Sequence, residues 1–255
     1  MNIEEVPWYD FVNIGFAGAM LLVFLYAFSV YLYDRKALSF YYGAYIFSVG
    51  LYLFSRSTLI YEYLTKDLEY YLPWVNNVVG YTFQYIAHFT ALQFGVFFLN
   101  AKRYYPAFYK AARFTRVIFA LAIIFSLINI SIIESGKFSI WLLNIERIFA
   151  TLMAIYFQVI ILKNSRNKLV IFYVVGSIFF LTGAVISVFA LNVIYMRIGT
   201  VIEVLFFALG LAYRSKIIQE ERNLFKDKMM KETVEKEKLL NQYNEDLKNQ
   251  VIQRS

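Results

Sequence analysis

The chain has 255 residues, of which 60% are hydrophobic and 17% charged, well under the roughly 25% charged share of soluble domains. Its net charge of +7 does not indicate nucleic acid, because from Ile217 to Ser255 eight Lys/Arg balance eight Asp/Glu and the basic excess lies among apolar segments. The absence of cysteine and the single histidine exclude disulfides, thiol chemistry and His-rich metal sites, so no cofactor is expected.

The start, MNIEEVPWYD, is acidic where a secretory leader would be basic, and no signal peptide is expected. From there apolar runs follow one another near Tyr9–Tyr33, Ala37–Leu59, Val75–Leu99, Ala111–Ile133, Phe138–Leu162, Leu169–Ala190 and Val193–Tyr213. Each approximates the 20 residues that span a hydrocarbon core of about 30 Å. They are continuous rather than alternating, which argues against barrel strands. The expected fold is all-α: a polytopic membrane bundle of seven helices over 1–214, followed by a cytoplasmic helix over 215–255.

The loops set the orientation. The first carries Arg35 and Lys36, the third Lys102, Arg103, Lys110 and Arg113, and the fifth Lys163, Arg166 and Lys168. The even-numbered loops hold only Lys66 and Lys137 beside Asp67, Glu69 and Glu134, and Arg214 and Lys216 follow the last run. By the positive-inside rule the N-terminus lies outside and the C-terminus in the cytoplasm. Pro7, Pro73 and Pro106 all fall outside the spans, whereas transporters often have Pro- or Gly-interrupted helices at a midplane site.

Ionisable groups at bilayer depth are costly and usually face the bundle interior with a partner. Four places qualify: Arg56 in the second run, His88 in the third, Glu146–Arg147 in the fifth and Glu203 in the seventh. Helical spacing puts Met196, Gly199, Thr200, Glu203, Phe207, Gly210 and Arg214 on one face. The glycines there allow close helix approach, which turns Glu203 towards the bundle roughly 9–15 Å deep. Arg197 is about 120° round the helix from Glu203 and a poor partner. Arg56, Glu146, Arg147 and Glu203 are therefore expected to form an ionic cluster in the outer half of the bundle. It would serve either as a sensing element or as a buried pair that only fixes packing.

In the third run Asn77, Gly80, Tyr81, Gln84, His88, Ala91 and Gly95 make a second polar stripe. Asn77, Gln84 and His88 are candidates for lining a wet cavity, with an interhelical hydrogen bond as the plainer alternative. No lysine precedes Lys216 in the last run, so a retinal Schiff base is not expected. Two zinc-binding histidines, a phosphate-binding loop and a dinucleotide fingerprint are all missing, and no enzyme is indicated. No carbonyl-filter sequence suggests a channel.

After Ser215 the chain lacks Pro and Gly and is rich in helix formers. Leu224, Phe225, Met229, Leu240, Tyr243, Leu247 and Val251 make an apolar seam that Lys and Glu interrupt between Lys231 and Lys238. This reads as a marginal two-stranded coiled coil favouring a homodimer, against a single solvated helix. With Arg214 at its start and Leu240, Tyr243, Leu247 and Val251 along it, such a helix would carry movement from the membrane to an output.

FLYAFSVYLYDRKALSFYYGAYIFSVGLYLFS (24–55), with its Asp34–Arg35 turn, FFLNAKRYYP (97–106) and IGTVIEVLFFALGLAYRSK (198–216) together resemble the bacterial seven-transmembrane receptors with diverse intracellular signalling modules. In the last stretch Ile198, Gly199, Glu203, Leu211, Ala212 and Arg214 take the matching places. The resemblance covers most of the chain. It implies a multi-pass receptor of the bacterial inner membrane that passes an unidentified small-molecule or membrane stimulus to a histidine kinase, cyclase or similar module. Family members commonly carry a sugar-binding-like β domain before the first span and an output module after the connector. Here the sequence shows neither, so it is read as part of a longer receptor or as acting through a partner protein. The other classes weighed are a small-solute transporter or channel, and a dimerising membrane scaffold.

Overall fold

The computed structural model describes residues 8–55, 78–132, 136–163, 168–190 and 192–254, and these are helical almost throughout. The helices are α1 (Trp8–Asp34), α2 (Ala37–Phe54), α3 (Phe83–Phe98, entered through a π-turn over Val78–Thr82), the short α4 (Ala101–Tyr104), α5 (Pro106–Ile132), α6 (Gly136–Lys163), α7 (Lys168–Phe189) and α8 (Ile194–Arg254). Six of the described helices are long and apolar enough to cross a membrane. The third expected span corresponds to the π-turn and α3 together. The chain is thus an all-α membrane bundle with a long C-terminal helix.

Helix ends follow local chemistry. α1 and α2 are joined through Arg35, which adopts the left-handed conformation (φ 52°). The Asp34 carboxylate organises this turn by accepting from the Lys36 backbone N–H at 2.9 Å and from Ser39 Oγ at 3.0 Å. Asn100 (φ 48°) closes the end of α3, and asparagine tolerates that region better than most residues. Both turns fall within stretches that carry the family resemblance. α5 begins at Pro106, five residues ahead of the apolar run. Proline suits a first helical position, and the basic residues of the first turns do not prevent helix formation. α8 is entered through Asn192, whose side chain accepts from the Ile194 N–H at 3.0 Å, an N-cap-like bond that satisfies one free amide.

The chain forms two compact units, Met1–Phe207 and Ala208–Ser255. In the first, α1 packs on α2, α2 on α3, α3 on α5, α5 on α6 and α6 on α7. α7 and α8 cross with backbone close to backbone. A Cβ on Gly183 would stand 2.5 Å from the Tyr195 carbonyl and 3.2 Å from the Gly199 Cα, and one on Gly199 would stand 2.7 Å from the Phe179 carbonyl. Only glycine permits that approach, the usual use of small residues between membrane helices.

The return of α8 to the start of the chain is polar. Arg197 is buried and donates to Asn13 of α1 and to the Leu53 carbonyl of α2. Below it an aromatic layer fills the centre. Phe207 stacks on Tyr173 (centroids 5.6 Å apart, planes within 7°) and lies against Phe94 at 4.8 Å, which contacts Tyr42 at 5.3 Å and Phe98 at 5.2 Å. Phe94 and Phe98 are fully buried.

The second unit is helical, and its apolar side chains Leu224, Phe225, Met230, Leu239, Leu240 and Tyr243 are each more than half exposed in the single chain.

Candidate functional site

α6 shows how the bundle divides lipid from interior. Trp141, Ile145, Ile148, Leu152, Ile155, Val159 and Leu162 recur at intervals of three and four and are all exposed. They form the stripe that apolar side chains present to lipid. On another face Arg147, Ala150, Thr151, Ala154 and Gln158 border a half-open cavity of about 550 Å³. Residues from α2, α3, α5, α7 and α8 complete its wall, including Tyr45, Tyr52, Gln84, His88, Phe119, Tyr173, Glu203 and Phe207.

The polar groups fall into three sets. Glu203 of α8 is buried and accepts a hydrogen bond from the Tyr45 hydroxyl of α2. Tyr42, nearly one turn earlier, donates to the Val204 carbonyl at 3.3 Å. Two tyrosines of α2 thus hold adjacent residues of α8. In the second set His88 Nδ1 of α3 meets Glu146 Oε1 of α6 at 2.5 Å, while Glu146 Oε2 is buried without a hydrogen-bond partner. In the third set Arg147 donates through Nη2 to Gln84 Oε1 at 2.9 Å and to the Tyr52 hydroxyl at 3.0 Å. Its Nε reaches Gln84 Oε1 at 3.3 Å.

Arg147 and Glu203 border the cavity while Glu146 is turned to His88, a distribution different from a single ionic cluster. Among the described residues no ion pair joins Arg147 to Glu203. Glu146 and Arg147 are sequence neighbours and project about 100° apart round the helix, so Glu146 reaches α3 at His88 while Arg147 reaches Gln84 and Tyr52. Gln84 and His88 both border the cavity, and both also make interhelical bonds. Arg56 and Asn77 lie outside the described residues. Arg214, Leu240, Tyr243, Leu247 and Val251 all lie within α8, with Leu240 and Tyr243 exposed.

Sequence reasoning missed the α2 face. Tyr42, Tyr45, Val49 and Tyr52 are spaced three, four and three apart and all are buried. The spacing is visible in the sequence, but tyrosines in a membrane chain are readily assigned to the interfacial belts. Arg197 was passed over as a partner for Glu203, and its bonds go instead to α1 and α2.

A model of the family described as 7TM diverse intracellular signalling matches residues 9–214. The chain belongs to that family. The match covers every described residue of the cavity and runs to Arg214 at the end of the expected last span. No curated protein and no solved structure matches the chain. As a member of the 7TM diverse intracellular signalling family it is a multi-pass membrane protein with a sensor or receptor role.

Proposed function

We propose that the chain is a sensor of the bacterial inner membrane, with its N-terminus outside and its C-terminus in the cytoplasm. A stimulus received in the bundle changes the hold of α2 on α8, and α8 passes the change to a histidine kinase or another signalling partner. The observation that carries this reading is the Tyr45–Glu203 bond at the cavity wall, on a helix that extends from Ile194 to Arg254. A carboxylate at bilayer depth with one hydroxyl donor is sensitive to rearrangement, because losing that donor leaves a buried acceptor unsatisfied.

The part of α8 after Ser215 serves as the output element. Its exposed Leu240 and Tyr243 belong to the interrupted seam that pairs two copies as a weak coiled coil. A weak seam suits transmission, since two registers differing by a few kcal/mol are shifted by a modest input. No catalytic step of its own is assigned to the chain, which acts through its partner. Paired cysteines introduced along Leu240–Val251 should crosslink in membranes, and Glu203→Gln should change the crosslinking pattern. A pattern indifferent to Glu203→Gln and to every added stimulus would overturn the reading. The cavity favours one other reading, a small-solute transporter, which requires solute flux in liposomes that Glu203→Gln abolishes.

A further inference from the structure

Arg147 brings a planar guanidinium cation with five N–H donors into the bundle. It stands about 9 Å inside Trp141, the first residue of the apolar stretch of α6. Its described partners, Gln84, Tyr52 and Asn144, are all neutral. The contact of Nη1 with Asn144 is 3.5 Å, too long to satisfy that group well. Among the described residues no carboxylate lies within 4.0 Å of the guanidinium, and the adjacent Glu146 is directed to His88. A cation at this depth calls for an anion, and the space beside it is the 550 Å³ cavity, which lies in the 300–1,000 Å³ range of small-molecule sites.

Three turns along the same face of α6, about 16 Å away along the axis, Gln158 also borders the cavity. Its side-chain Nε2 is buried without a hydrogen-bond partner, a donor in need of an acceptor. Between the two, Ala150, Thr151 and Ala154 keep the floor low, and Val49, Leu92, Phe119 and Phe157 make the walls apolar. The cavity therefore has a cationic end, an apolar middle and a neutral donor at the other end. Arg147 is the one arginine or lysine bordering the cavity among the described residues, so a second negative charge on the occupant would find no cation.

We infer that the cavity binds an elongated organic monocarboxylate, a medium-chain acid with an oxygen acceptor towards its tail. Its carboxylate sits on Arg147, its chain lies over Ala150 and Ala154, and its tail oxygen accepts from Gln158. A doubly charged phosphate ester would bring more negative charge than Arg147 balances, and a neutral hydrocarbon would leave Arg147 uncompensated. This site deepens the sensor reading, on which it rests, by naming the chemical class of the stimulus.

The test uses the full chain in nanodiscs of zwitterionic lipid, with binding measured by isothermal titration calorimetry. ω-Hydroxydecanoate should bind tenfold or more tightly than 1-decanol, and several-fold more tightly than decanoate. Arg147→Gln should weaken the acid at least tenfold. Gln158→Leu should abolish the preference for ω-hydroxydecanoate over decanoate while leaving decanoate binding intact. Thr151→Phe, which fills the floor and leaves the Arg147 bonds in place, should block binding in a protein that still elutes as a folded species. Equal affinity for acid and alcohol, unchanged binding in Arg147→Gln, or a phospholipid found by native mass spectrometry to co-purify with the chain but not with Thr151→Phe would overturn the assignment. The tail-crosslinking assay separates the two ideas. Binding that never alters crosslinking removes the sensor reading and keeps the site. Crosslinking that responds to Glu203→Gln in a chain that binds no carboxylate removes the site and keeps the sensor.

Discussion

α2 and α6 cross the same bundle and do opposite work. Half of the most apolar window of α2 is buried inside the protein, against 22% for α6. α2 is a central helix: Tyr42, Tyr45 and Tyr52 reach α8 and Arg147, while its far side takes α1. α6 is a peripheral helix that gives most of its surface to lipid, yet it contributes Glu146, Arg147 and Gln158. In water such a helix would be held by burying its apolar stripe. In a bilayer that stripe gains nothing by turning inward, and the inner face is selected by polar groups that lipid cannot satisfy. The lesson is that packing is concentrated in α2 and chemistry in the narrow inner face of α6.

Four substitutions should break or sharpen that contrast. The largest effect belongs to Ile46→Ala on α2. Ile46 is fully buried, and the cavity left behind should cost about 2–5 kcal/mol, measured as a loss of thermal stability in detergent. Next is His88→Leu, which deprives Glu146 of its one described donor and leaves both carboxylate oxygens buried without partners. The expected cost is about 3 kcal/mol, the upper end for an unsatisfied buried acceptor. Adding Glu146→Leu should restore part of it, and a double variant no more stable than the single one would show that the pair is not the source.

Tyr45→Phe should cost less, about 1–2 kcal/mol, since it removes one hydroxyl from Glu203 and keeps the ring against Phe207. It should alter tail crosslinking in the same direction as Glu203→Gln, and opposite directions would separate the two groups. Smallest is Ile148→Ala on α6. Ile148 is 63% exposed, so the change should stay within about 0.5 kcal/mol. A loss comparable to that of Ile46→Ala would mean that this face of α6 is covered by protein rather than lipid.

The helices were legible in the sequence because bilayer thickness forces long unbroken apolar runs. The inward faces of α3 and α8 followed from their period of 3.6 residues, which set Gln84, His88 and Glu203 towards the interior. Partner choice was not legible in the same way. Whether Arg147 meets Glu203 or Gln84 depends on which helices are neighbours and at what height, and no single helix encodes that. Tyr45 was hidden for a related reason: its hydroxyl is a donor only when an acceptor from a segment 158 positions away is brought to it. The π-turn before α3 has no local signal, since Val78–Thr82 contains no proline and its one glycine is ordinary in a membrane helix.

The contact of Gly183 with Gly199 has a kinematic consequence. Side chains at a helix crossing can exchange rotamers and let one helix drift while the other stays. Where backbone lies on backbone there is nothing to reorient, so α8 can turn about that point or slide along it but has no means of yielding gradually. A contact of this kind behaves as a bearing, and it sits between the end of α8 that faces Asn13 and the stretch that holds Glu203 and Phe207.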